Sequence, residues 1–179
     1  MNFRFPRRAT AARLATVTVA TTAALMSPGV VGGAALVAPD AGAQTVLGVR
    51  LAPGTAGLTP QLGIAYTLAY REARAAGVSI YVNSGMRSAA EQARLWRQGV
   101  RDYGSPAAAR RWVLPPGEST HVTGEAIDVG PRSGAAWLQA NGIRWGLCRT
   151  FDNEWWHFEL VAVPGTRCPA RVPDASHRR

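Results

Sequence analysis

Four residues stand out by type and spacing: His121 and Asp128 in "STHVTGEAID", and Glu154 and His157 in "EWWHFEL". Two neutral imidazoles and one carboxylate make a catalytic zinc site with three protein ligands and a fourth position left for water. A metal so held lowers the pKa of its water to about 7 and generates hydroxide near neutral pH. A carboxylate outside the ligand set takes that proton and passes it to a leaving amine. Glu154, three residues before His157, is placed for this role, with Asp152 and Glu159 as competitors. Each residue also has a plainer reading. Trp156, Phe158 and Leu160 alternate as on a half-buried strand, and His157 is then a polar strand residue. His121 is then a loop histidine and Asp128 a strand-end acid. The whole set, taken jointly, points to a metal site.

These residues need elements to bring them together. His121 and Asp128 are seven apart and face opposite ways on one straight strand. A turn at Thr123-Gly124 between two short extended runs turns both into one site. "NEWWHFELV" reads as a final strand, on which Glu159 shares parity with His157 and is an outer partner for its imidazole. Upstream, Thr59-Pro60 starts a helix that Gly77 ends. "VSIYVN" (78–83) reads as a strand, "SGMRS" as the loop leaving it, and Ser88 with Glu91 as a helix start. That helix ends near Gly99, and a short one spans 105–112. "SGAAWLQANGIRWG" is a helix capped by Asn141-Gly142. Trp96, Trp112, Trp137 and Trp145 read as core. Helices followed by short strands predict an α+β fold with a small antiparallel sheet.

Composition sets the compartment and excludes some partners. Residues 1–43 read as a signal peptide: arginines and no acid in the first 13 residues, an uncharged Ala-, Val- and Thr-rich stretch, then Ala41 and Ala43 as a small-residue cleavage site. A retained membrane anchor is the competing reading, and Arg7-Arg8 hints at twin-arginine export. Removing 43 of 179 residues leaves 136, one ordinary domain. Residues 44–58 form an extended lead-in, 59–168 the folded domain, and 169–179 a loose basic tail. Four of the 20 basic residues and one of the 11 acids lie in the leader, leaving 16 against 10, a net +6. All 20 basic residues are arginine. A basic exported protein suits an anionic cell wall, and the scattered arginines argue against nucleic acid. The two cysteines, Cys148 and Cys168, read as a disulfide that closes a loop around Glu154 and His157 and contributes about 3 kcal/mol.

"STHVTGEAID", "EWWH" and "SGMRS" with Gln92 together resemble the VanY-like zinc D-alanyl-D-alanine carboxypeptidases. These share an α+β superfamily with D-Ala-D-Ala dipeptidases, lysostaphin-type endopeptidases and hedgehog domains. The likeness covers roughly residues 55–165. It implies a small antiparallel sheet with helices packed on one side. It implies His121, Asp128 and His157 as zinc ligands, and Glu154 as general base and then acid. Arg87 would stabilise negative charge on the scissile carbonyl. Ser119 and Gln92 would hold the substrate's C-terminal carboxylate and backbone, and Trp155 or Trp156 would line the pocket wall. Where many relatives carry Arg-Tyr-Pro before the Glu, this chain has "CRTFDN", and only Arg149 matches in part.

The expected activity is removal of the terminal D-Ala from peptidoglycan stem peptides by a monomer in or outside the cell envelope. The rivals are a zinc L,D-carboxypeptidase, an L-Ala–D-Glu endopeptidase, and a non-catalytic wall-binding module that keeps zinc for structure.

Overall fold

The computed structural model describes residues 44–178. The leader expected over residues 1–43 lies outside these. Among the described residues no helix is long and apolar enough to cross a membrane. The lead-in forms a two-stranded ribbon, β1 (Thr45–Val46) and β2 (Val49–Arg50). Then come α1 (Pro60–Ala75), β3 (Tyr81–Ser84), α2 (Ala89–Tyr103), α3 (Pro106–Ala109) and β4 (Ala126–Gly130). The chain continues with α4 (Arg132–Asn141), a 3-10 turn (Gly142–Trp145), β5 (Leu147–Arg149), β6 (His157–Leu160) and a last 3-10 turn (Ala175–His177).

Four strands form one antiparallel sheet in the order β3-β4-β6-β5. The α+β class with a small antiparallel sheet is the observed one. Strand period divides the work of the sheet's two faces. Ile127 and Val129 of β4 and Phe158 of β6 enter the core with Leu62, Tyr66 and Ala69 of α1 and Leu138 of α4. Asp128, His157 and Glu159 leave from the other face, and all three are buried there. The register places Asp128 directly opposite His157 and Ala126 opposite Glu159. Two of the expected ligands are thus cross-strand neighbours.

The local signals act as expected in most places. Pro60 lies in the first turn of α1, and Gly77 follows its end at φ 73°. Ser88 accepts a hydrogen bond from the Glu91 amide at the start of α2. α2 runs past Gly99, where it was expected to stop, to Tyr103 and a left-handed cap at Gly104. Gly99 is buried and faces Val113 and Ala109, so it serves close packing with the α3 region rather than termination. "STHVTG" is not an extended run. Residues 120–124 form an irregular turn and only the second half of the expected hairpin, β4, is a strand. The final strand starts at His157, so Glu154, Trp155 and Trp156 precede it.

Gly124 sits at the end of that turn with φ 72°, and a Cβ there would come within 2.5 Å of the Gly57 carbonyl oxygen. Gly124→Ala combines backbone strain with this clash, and should lower stability by about 1–3 kcal/mol. A thermal melt checks it, and a melting temperature equal to wild type would refute it.

Cys148 and Cys168 form the expected disulfide, with Cα atoms 5.7 Å apart. The bridge closes a loop that contains all of β6. The tail expected to be loose is docked. Val172 pairs with Phe151, and backbone hydrogen bonds join Val172 to Thr150 and Asp152 and Pro173 to Asn153. Ala175 is buried against Phe151 and Leu114 in a second small core. Proline and arginine content hid this segment because its order comes from a few long-range contacts and not from a periodic pattern.

Candidate active site

His121 leaves the turn before β4, and its Nδ1 lies 2.8 Å from the Gly85 carbonyl oxygen. That nitrogen donates, which turns Nε2 inward, 3.3 Å from Asp128 Oδ1. His157 is arranged the other way round. Its Nε2 lies 2.8 Å from Glu159 Oε1, and its Nδ1 faces Asp128 Oδ1 at 3.3 Å. One nitrogen of each ring is therefore fixed by an outer acceptor while the other points at a shared centre. The ligand atoms offered by His121, Asp128 and His157 all lie within 4.8 Å of one another. Two imidazoles and a carboxylate, each oriented by an outer partner, are a donor set that fits zinc.

Glu154 reaches the same centre, with Oε2 3.8 Å from His157 Nδ1. Burial raises its pKa to about 7; the Asp128 and Glu159 charges add to this, and His157 and Arg87 oppose it. A carboxyl balanced near neutral pH is suited to taking and returning a proton. His121 is shifted down, chiefly by burial, and so is held as the neutral imidazole that ligation needs. For Asp128, burial works upward, but the two histidines outweigh it and hold the carboxyl well below the usual range. Without a metal, burial opposes charge on His157, yet Asp128, Glu159 and Glu154 raise its pKa to about 10. The centre draws positive charge.

Arg87 is bound on three sides. Its Nη2 lies 2.6 Å from Asp128 Oδ2, its Nε donates to Ser84 Oγ, and its Nη1 lies 3.2 Å from Gln92 Oε1. It fixes the outer oxygen of Asp128, and a guanidinium carries five donors. Gln92 is almost fully buried, and its Nε2 donates to the Leu114 carbonyl. Its amide bonds to Arg87 and the backbone, and Gln92 also lines the small cleft that holds Arg87, Glu154 and His157.

Arg87, Ser119, Glu154 and His157 line one small cleft. Trp155 and Trp156 do not. Trp155 packs against the main core with Arg132 over its ring, and the two indoles meet edge to face. The aromatic wall comes instead from Phe151, whose ring lies 5.0 Å from that of His157, and from Trp112. Trp112, read as core, is 40% exposed and stacks on Tyr103. Trp137 and Trp145 pack on the core as expected. No spacing pattern marks Trp112 as a cleft residue; only the fold of the α3 region does. A larger cavity, about 370 Å³, contains none of the four residues at the centre.

A family profile described as "VanY: D-alanyl-D-alanine carboxypeptidase" matches residues 58–163. The chain belongs to that family. It is 31% identical over 116 residues to a D-alanyl-D-alanine carboxypeptidase of Enterococcus faecalis, a match covering 51% of this chain and 43% of the relative. The chain thus spans less than half the length of that relative. Among solved structures, it is similar to a vancomycin resistance D,D-pentapeptidase VanY in complex with Zn(II), at 27% identity and a TM-score of 0.54, covering 59% of this chain and 73% of the other. It is also similar to VanYB in complex with D-alanine-D-alanine, at 25% identity and a TM-score of 0.55, covering 59% and 72%. The VanY fold and family expected from the motifs are therefore the observed ones.

Proposed function

We propose that this chain is an exported zinc carboxypeptidase that removes the terminal D-Ala from peptidoglycan stem peptides ending in D-Ala-D-Ala. The observation that carries the reading is the meeting of the three-ligand centre with Glu154, a non-ligand carboxyl raised to about 7. The Zn(II) and D-alanine-D-alanine found with two related structures support the choice of metal and substrate.

His121, Asp128 and His157 would hold the zinc, which when bound supplies a Lewis acid for the carbonyl and an activated water. Glu154 would take a proton from the attacking water and return it to the leaving D-Ala nitrogen. Arg87 gives one donor each to Asp128, Ser84 and Gln92, and its two other N–H groups would serve the oxygen on which negative charge develops. Ser119, buried at the cleft, donates to the substrate's terminal carboxylate. Phe151 and Trp112 exclude water from the reacting bond. The net basic surface, on a protein outside the cytoplasm, favours the anionic wall over nucleic acid.

The test uses the chain from Gln44 onward and a synthetic stem pentapeptide, with products read by mass spectrometry. Loss of one D-Ala is expected, stopped by a chelator and restored by zinc. A zinc-dependent cut at an L,D bond or at L-Ala–D-Glu would keep the residue roles and replace the substrate. Zinc bound with no cleavage of any stem peptide would overturn the catalytic reading in favour of a wall-binding module.

A further inference from the structure

The last described residue, Arg178, reaches back from the C-terminal segment to Glu159. Its Nη2 lies 2.9 Å from Glu159 Oε2, and its Nη1 engages Oε1. That Oε1 is also the atom facing His157 Nε2, and it accepts a hydrogen bond from Thr120 Oγ1 at 3.0 Å. One carboxylate thus gathers the ring of one expected ligand, the neighbour of another (His121), and the end of the chain. Glu159 is only 3% exposed. It shares a small volume with Asp128 and Glu154, and Arg87 is already committed to Asp128. Arg178 grips both oxygens of Glu159, which fixes the direction of the carboxylate that meets the His157 ring.

The arginine is held in place by more than this pair. Residues 172–173 bond to 150–153, the segment leading into Glu154. Asp174 caps the last turn through the Ser176 amide and is gripped by Arg111 Nε at 3.0 Å. Ala175 and Arg178 both line the cleft, and Arg178 also borders the neighbouring 370 Å³ cavity. The segment is a strap beside the site, and Glu159 and Arg178 both line that cavity, so removing the guanidinium leaves the Glu159 carboxylate without its bidentate partner there.

We propose that Arg178 is a positioning residue of the metal centre: through Glu159 it fixes the ring of His157. This rests on the metal reading of the site, not on which peptide bond is cut. The test measures zinc affinity by competition with a chromophoric chelator on the full mature chain. Arg178→Gln is expected to weaken zinc by up to about 10-fold, at or below the low end of the roughly 10–100-fold that marks loss of a ligand's direct outer partner. Arg178→Lys should recover part of the loss. Arg111→Gln, which loosens the strap at its other anchor without touching Glu159, should lower the melting temperature but hold zinc as wild type does. With stem peptide, Arg178→Gln at saturating zinc should lower kcat and leave KM near wild type. Zinc affinity unchanged in Arg178→Gln would overturn the inference. Equal losses in Arg178→Gln and Arg111→Gln would also overturn it, and reduce Arg178 to an anchor of the strap. A wild-type chain that takes up no zinc would remove the metal reading and the inference together, whereas zinc uptake without peptide cleavage leaves the affinity test intact.

Discussion

Glu154→Ala should retain zinc and lose turnover by on the order of 10³-fold. Glu154 is not one of the three residues whose donor atoms converge, so metal content, read by elemental analysis, should stay near one ion per chain. What disappears is the group that moves protons. Burial raises Glu154 to about 7 in the metal-free chain, so near neutral pH the site favours its protonated form more than the surface would. An ordinary surface carboxylate would be almost wholly ionised there and a poor donor to a leaving amine. The loss should fall on kcat more than on KM, because proton transfer is completed only in the transition state. Near-native kcat in the variant would remove Glu154 from the reaction. Loss of zinc along with activity would make it a ligand instead.

Asp128→Ala should abolish the zinc response of the protein. Oδ1 of Asp128 is the atom both imidazoles face, and Oδ2 holds Arg87. Zinc affinity should fall by more than the roughly 100-fold that marks loss of an outer partner. A melt reads this directly, since a ligand that binds only the native state raises stability with concentration. Wild type should rise in melting temperature with added zinc and the variant should not. The variant should also be weaker before any zinc is added. Arg87 then remains, mostly buried, without its acid, and breaking such a pair costs about 3–5 kcal/mol. A zinc-induced shift equal to wild type would show that Asp128 is no ligand.

Much of this site is readable from residue types at fixed separations, because its key side chains lie on or beside regular strands. Parity on β6 places Glu159 on the His157 face, and the structure finds the two in contact. The cysteine pair and the Ser88 cap likewise follow from local chemistry and composition. What could not be read is what distant segments do to one another. Gln92 carries the right chemistry for a cleft residue, but its bond to a carbonyl 22 residues away could not be read from the sequence. Trp155 and Trp156 sit beside the expected ligand in sequence, yet Trp155 packs on the main core and the two indoles meet each other. The wall falls to Trp112 and Phe151, whose spacing carries no pattern. Arg178 looks like part of a solvated basic tail until Glu159 is seen beneath it.

The pairing of β4 with β6 sets Ile127 against Phe158 and Asp128 against His157 in one unbroken register. Side chains alternate with period two, so a slip of one residue would throw Phe158 out of the core as surely as it would turn His157 away from Asp128. Selection for a well-packed core therefore proofreads the metal centre without any metal being present. The apolar face acts as a template that aligns the ligands during folding, so the metal-free chain should arrive with its two strand-borne donors already side by side.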